Sequence, residues 1–455
     1  MVKARTSKPG REPSAPASAL NPTGGAGGGN TDGTSARQPT GFLGQVLDSE
    51  NLNRAWRRVK ANGGAPGIDG VRIEDFPGWM REHWPAIQEV LVMGTYHPSP
   101  VRRVEIPKPT GGTRPLGIPT VIDRVIQQAI LQVLGPMWDP EFSESSFGFR
   151  PRRNAHGAVK QVHGFIREGY RWAVDIDLSK FFDTVGHRKL MGLLARKLSG
   201  ESLLGLISRY LRAGVEIDGV IEPTTEGVPQ GGPLSPLLAN IMLDELDKEL
   251  ERRGHRFARY ADDFVVLVKS PKAAERVMQA TTRMLERRLK LRINQEKSQV
   301  RPVREVEFLG FAFRSGKIRI TEQALRTFKQ RLKRLSGRHW FVSMEERLAK
   351  LRLFVRGWMN YYGLSQVYSD WPGLDTWLRR RLRMCYWVMW KRPRTRIRNL
   401  LDLQVPIRHA VGIGRSSLGP WKCARLLGFA MSKNWLESQG LVCLADEWWS
   451  CASLR

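Results

Sequence analysis

The sequence predicts an α+β domain followed by an all-helical, strongly basic domain. Between about residues 101 and 320, short strand-like apolar runs alternate with helical ones, which favours segregated strands and helices over a parallel α/β order. After Thr321 the pattern turns almost wholly helical and becomes dense in Arg, Lys and Trp. Lys and Arg number 73 against 44 Asp and Glu, a formal charge of +29. A compact chain tolerates that self-repulsion when an anionic partner offsets it, and the two common anions are nucleic acid and an acidic membrane. No apolar run approaches the roughly 20 residues that cross a bilayer, so nucleic acid is favoured and no membrane partner is expected.

Residues 1–41 are Gly, Pro, Ser, Ala and Thr with a few basic residues, a composition that cannot bury enough surface to offset its ordering entropy. They are expected to form a disordered tail, without the apolar core of a secretory signal. From Leu43, apolar residues recur at helical spacing through Leu47, Leu52, Trp56 and Val59, and the pattern stops at Asn62-Gly63-Gly64. The expected segments are 42–100, then 101–320 as the α+β domain, 321–420 as the helical domain, and 421–455 as a small appendage. Within the α+β domain we expect strands at Val101–Ile106, Ala173–Leu178, Phe264–Val268 and Val306–Phe313, with helices near Val121–Leu134 and Ser235–Arg252. The four cysteines form no CxxC pair and no zinc pattern, which fits a reducing compartment.

The sharpest chemical signal is Tyr260-Ala261-Asp262-Asp263 ahead of the apolar run Phe264–Val268. Two adjacent acids before a strand suggest a hairpin with carboxylates at its tip. Taken alone, such a turn is usually a solvated loop. A second acidic strand changes the balance: in Trp172–Leu178 the alternation puts Asp175 and Asp177 on one side. Two acidic strand ends in one sheet would make an oxygen-ligand site for paired Mg²⁺, which hard oxygen donors favour over zinc. Lys108 and Arg114 flank a Gly-Gly turn, where cations could fold over a triphosphate or merely face solvent. Gln230 and Gly231 lie in a Pro/Gly-rich approach to a helix, where small residues permit close backbone approach. GxxxxGK[ST] is absent, so P-loop ATPase chemistry is not indicated.

Four motifs in order resemble those of reverse transcriptases: Arg114–Pro119, Asp177–Asp183 (DLSKFFD), Gly227–Pro236 (GVPQGGPLSP) and Tyr260–Asp263 (YADD). The resemblance runs from about residue 43 to 420. It implies a right-hand polymerase fold, with fingers and a palm built on an antiparallel sheet, followed by an all-helical thumb or maturase domain. It implies that Asp177, Asp262 and Asp263 are catalytic acids and metal ligands for two Mg²⁺, with Mn²⁺ a possible substitute. It further implies that Lys108, Arg114, Phe182, Gln230, Gly231 and Lys297 contact the nucleotide. Phe182 would exclude a 2′-OH and Lys297 would protonate the pyrophosphate. Phe308, Leu309 and Gly310 would grip the primer. Read without the resemblance, Phe182 could equally pack in a core, Lys297 could be a solvated turn residue, and Phe308–Phe311 could be a plain buried hairpin.

Three stretches resemble the group II intron branch of that family: Ala65–Gly70 after its helix, Ser146–Pro151 (SFGFRP), and the basic helical region with Trp358–Gly363. The resemblance implies an RNA-directed DNA polymerase that binds group II intron RNA to assist splicing and retrohoming. Its partners would be intron RNA, an RNA template with a DNA primer, dNTPs and target DNA, in a bacterial cytoplasm. The family's C-terminal HNH nuclease, with paired cysteines, is not expected here. The alternatives are a related reverse transcriptase recruited to phage defence, CRISPR or DNA repair, and an RNA-binding splicing factor without polymerase activity.

Overall fold

The computed structural model describes residues 41–107, 111–198 and 200–453; residues 1–40 of the tail expected over 1–41, and Lys108, lie outside the described residues. Gly41, assigned to the tail by composition, opens the first helix, Gly41–Leu47. Among the described residues eleven strands follow in chain order: β1 (Val101–Pro107), β2 (Thr113–Ile118), β3 (Trp172–Ile176), β4 (Val215–Ile217), β5 (Val220–Glu222), β6 (Arg256–Tyr260), β7 (Asp263–Val268), β8 (Gln299–Pro302), β9 (Glu307–Phe308), β10 (Phe311–Arg314) and β11 (Lys317–Ile320). They occur among many helices in segregated sheets, so the fold is α+β. The chain divides into two compact units. One contains the chain up to Ser143 with Leu178–Lys248 and Arg283–Ile293; the other contains Glu144–Asp177, Glu249–Thr282 and Asn294–Arg455.

The first unit holds a four-stranded sheet in the order β2-β1-β4-β5. β1 and β2 pair antiparallel from Arg102 opposite Ile118 to Pro107 opposite Thr113. Gly111 and Gly112 in the connection have φ of +93° and +75°, conformations that glycine adopts without a Cβ clash. The helix Val121–Trp138 is apolar nearly all round and is buried accordingly, with Val121, Ile126, Ala129, Ile130 and Leu134 fully enclosed. Each of the Val, Ile and Leu side chains among them contributes about 1.5–3 kcal/mol on leaving water. Thr120 caps the helix, its hydroxyl oxygen accepting from the Asp123 N–H at 3.2 Å. The buried Asp123 carboxylate accepts from the Tyr96 and Tyr210 hydroxyls, the Thr120 hydroxyl and the Ser99 N–H, at 2.8, 3.1, 2.7 and 3.2 Å. Burial pushes that carboxyl above its usual range, and the four donors oppose the shift.

The second unit holds an antiparallel sheet, β6-β7-β3-β8, and a smaller one, β11-β10-β9. In β7 every residue after Asp263 is buried, so the strand is covered on both faces. One face, with Ala173, Val265 and Leu267, packs with Val159, Val162 and Ile166 of the helix Ala155–Arg167. The single strand expected over Val306–Phe313 is instead two, β9 and β10, paired antiparallel. Leu309 and Gly310 between them take φ of +52° and +78°, which an extended strand cannot contain. A helical array follows, beginning with Glu322–Leu335, Met344–Tyr362 and Asp370–Met389. Its core joins Phe328, Leu351, Met359, Trp371 and Leu382 to Leu436, Leu444 and Trp448 from the last helices.

Candidate active site

Strand register gathers the carboxylates. β3 and β7 pair antiparallel with Asp175 opposite Val265 and Ile176 opposite Phe264, and continuing that register sets Asp177 opposite Asp263. Residues opposite one another share a face, and alternation adds Asp175 to it. The β6–β7 hairpin closes with Tyr260 opposite Asp263, leaving Ala261-Asp262 as its two-residue turn, with Ala261 at φ +59°. Asp175, Asp177, Asp262 and Asp263 thus collect at one end of a sheet.

Like charges that close together resist ionising together. Desolvation by the surrounding protein, then repulsion from Asp175, Asp262 and Asp177, pushes the Asp263 carboxyl up to about 7. The residue itself keeps solvent exposure, so water moderates the desolvation and repulsion is the firmer of the two causes. Asp175 is also raised, by desolvation and by Asp177, against the opposing pull of Arg301, whose guanidinium lies 3.4 Å from its carboxylate. Lys297 Nζ stands 3.9 Å from Asp177 Oδ2. The backbone of Asp177 is fixed on both sides: its N–H donates to Ser298 Oγ at 3.1 Å, and its carbonyl accepts from the Asn294 N–H at 2.9 Å. Such an oxygen-only cluster, with no His or Cys among these residues, suits a hard divalent cation.

The turn carrying Asp262 rests on a buried support that the sequence did not reveal. Arg259 has no exposed surface, and its guanidinium donates to the Ala261 carbonyl at 3.0 Å and to Ser146 Oγ at 2.8 Å. The Phe147 N–H donates to the Arg259 carbonyl at 2.8 Å. A Cβ on Gly148 would sit 2.3 Å from the Ala261 nitrogen, so only glycine lets the SFGFRP segment lie against the turn. Arg259 looked like an ordinary strand residue, because its partner Ser146 lies 113 residues earlier in the chain.

In the first unit, Phe182 and Gln230 line one cavity of about 320 Å³ together with Arg103 and Lys180. Asp183, Glu222 and Glu226 also line it, so its charge is mixed. Phe182 and the Gly227–Gln230 loop are held together by backbone: Val228 N–H donates to the Phe182 carbonyl at 2.6 Å, and Gly227 N–H to the Val185 carbonyl at 2.8 Å. A His187 ring nitrogen lies 2.7 Å from the Gly227 carbonyl, another neighbour with no sequence signal. Gln230 accepts through its carbonyl from the Gly117 N–H at 2.7 Å. Gly231, at φ +121°, lets the Gly117 carbonyl approach where a Cβ would be only 2.5 Å away. Arg114 is exposed on β2, and its neighbours Pro115 and Leu116 reach the cavity wall.

In the second unit, Phe308 is buried, and the Leu309-Gly310 turn docks on the helix Met344–Tyr362. Tyr361 donates its hydroxyl to the Leu309 carbonyl at 2.9 Å, and a Cβ on Gly310 would meet the Tyr362 hydroxyl at 2.7 Å.

A sheet end crowded with carboxylates, followed by basic helices, is an arrangement that suits metal-assisted chemistry on nucleic acid, and comparison with known proteins gives the class. Residues 106–313 match the family described as reverse transcriptase (RNA-dependent DNA polymerase), and residues 325–402 match the group II intron, maturase-specific domain. The chain belongs to the group II intron reverse transcriptase and maturase family, and is an RNA-directed DNA polymerase by class. It is 35% identical over 308 residues to the protein YkfC of Escherichia coli K12, covering 59% of this chain and 80% of YkfC. It is 39% identical over 208 residues to the group II intron-encoded protein LtrA of Lactococcus lactis, covering 45% of this chain but 34% of LtrA. Among solved structures, a partial Cas6-RT-Cas1–Cas2 complex matches at 25% identity and TM-score 0.36 over 54% of this chain and 43% of that one, an overlap too small to argue from. No helix among the described residues is long and apolar enough to cross a membrane.

Proposed function

We propose that this chain extends a DNA primer on an RNA template at Asp177, Asp262 and Asp263, and that its basic helices bind group II intron RNA during splicing and retrohoming. The observation that carries the catalytic part is the convergence of these acids at the β3–β7 end, where their repulsion calls for a cation. Mg²⁺ fits an all-oxygen donor set, and Mn²⁺ is the natural substitute. Two such ions would supply activation of the primer 3′-OH and charge stabilisation on the departing pyrophosphate. Asp177 and Asp262 would hold them, with Asp263 completing the set and Arg301 restraining Asp175 beside it.

The remaining roles fall to this chain's own groups. Phe182 presents a ring that leaves no room for a 2′-OH, selecting deoxynucleotides. Gln230 and Gly231 line the approach of the base pair, and Lys108 and Arg114 bind the triphosphate. Lys297, close to Asp177, donates a proton to the leaving pyrophosphate. The Leu309-Gly310 turn, braced by Tyr361 and Tyr362, positions the primer end. The site of action is the bacterial cytoplasm, with target DNA as the second substrate.

The test is dNTP incorporation on an RNA template annealed to a DNA primer, with Mg²⁺, for wild type and Asp262→Ala. Template-dependent product from the wild type alone supports the reading. No synthesis from folded wild-type protein would leave an RNA-binding splicing factor in its place.

A further inference from the structure

Phe341 is 95% exposed, on the loop 336–343 that joins the helices Glu322–Leu335 and Met344–Tyr362. Its ring is therefore open to a partner. The loop is firmly built. The buried Arg347 guanidinium donates to the carbonyls of Leu335, Gly337 and Trp340 at 2.9, 3.0 and 2.7 Å. Arg381 donates to Ser336 Oγ at 2.6 Å and to the carbonyls of Ser336 and Lys333 at 3.1 and 3.0 Å. Two arginines thus fix the backbone up to Trp340, immediately before Phe341.

Beside it the same loop borders a concavity of about 890 Å³ whose charged lining is Arg331, Lys333, Arg334, Arg338, Lys350 and Arg381, with no acid among the lining residues. Among the described residues Lys350 is the one cation there that meets a carboxylate, Glu346, at 2.6 Å.

We propose that the loop and concavity form a binding site for an unpaired nucleotide of RNA, with phosphates on the cations and a base stacked on the Phe341 ring. The site rests on the reading of the basic helices as an RNA-binding surface. A purely apolar partner would leave Arg331, Lys333, Arg334 and Arg338 facing it without a countercharge. Duplex RNA offers phosphates but keeps its base faces stacked inside, so a lone exposed ring gains only from a splayed base.

The experiment measures binding of a fluorescently labelled oligouridylate and of a fully paired RNA hairpin to the full chain. Phe341→Ala is expected to weaken oligouridylate binding by about tenfold, within the range for removing one stacked base, with the hairpin unchanged. Phe341→Trp is expected to restore the oligouridylate affinity. Replacing Arg331 and Arg338 by Gln is expected to flatten the salt dependence of oligouridylate binding by about 0.7 in log–log slope for each phosphate no longer held. Thermal melting checks that the variants fold, which so exposed a side chain does not endanger.

Equal affinity of Phe341→Ala and wild type for oligouridylate, or equal weakening on both RNAs, overturns the stacking site while leaving RNA binding by the helices intact. Binding of polyglutamate that depends on Phe341 would assign the site to an acidic peptide and also overturn it. A wild-type chain that binds neither RNA removes the underlying reading as well.

Discussion

The acidic end of the β3–β7 sheet and the basic helical array handle charge in opposite ways. In the sheet, four carboxylates are brought together by strand register and a tight turn, and they stay mutually repelled. In the helices, cations divide into two groups. Arg347 is buried and its two terminal guanidinium nitrogens donate to backbone carbonyls, whereas Arg331 and Arg338 line an open concavity. A surplus of +29 therefore coexists with a local negative site, because short-range geometry outweighs net charge over a few ångströms. Chemistry is expected from the repelled acids, and RNA affinity from the cations that line the concavity.

The strongest way to break this division is Asp262→Ala. Primer extension is expected to fall at least about 10³-fold, while RNA affinity measured by filter binding stays within about twofold. Parallel loss of both would show that the acids also shape the RNA surface.

Arg347→Met tests the committed cations. Urea unfolding is expected to show a loss of about 3 kcal/mol, since one buried and two partly buried carbonyls lose a charged donor. Arg331→Gln, by contrast, is expected to stay within about 0.5 kcal/mol. Equal stabilities for the two variants would erase the distinction drawn between them.

Gly148→Ala sharpens the acidic side. The new Cβ cannot fit 2.3 Å from the Ala261 nitrogen, so the turn must move. Single-turnover extension is expected to slow by up to about 10²-fold, as displacements near 1 Å do, with little change in RNA binding. Unaltered extension would mean that the turn carrying Asp262 tolerates displacement.

The smallest effect concerns pH. In metal-free protein the folded-state value of Asp263 lies near 7, above that of the unfolded chain. Its contribution to stability is therefore fully present below about pH 4 and is lost as pH rises to about 7, beyond which it is flat. The stability of wild type relative to Asp263→Asn, read from urea midpoints in EDTA, is expected to fall across that window. A pH-independent difference would show that hydration removes the repulsion.

How much of this the sequence disclosed depends on range. Period-two alternation revealed that Asp175 and Asp177 share a side, and the Asp262-Asp263 pair before an apolar run revealed the hairpin. These are local patterns. The apolar pattern over Val306–Phe313 reads as one strand, and only the hairpin reading of Phe308–Phe311 anticipated the break between β9 and β10, whose left-handed turn at Leu309-Gly310 shows only in the backbone. Arg259 was missed because its partner Ser146 is far along the chain, and Arg347 because an arginine on a basic helix looks solvated until its carbonyl partners are known. Phe341 gave no signal either, as exposure belongs to the folded loop and not to the residue type.

The bonds from Arg347 have a practical consequence. Salt screens charges that face water, but it reaches buried donor–carbonyl pairs weakly. A high-salt wash is therefore expected to strip co-purifying nucleic acid from the exposed cations while the loop keeps its shape, so that dilution returns a clean protein ready to be loaded with a chosen RNA.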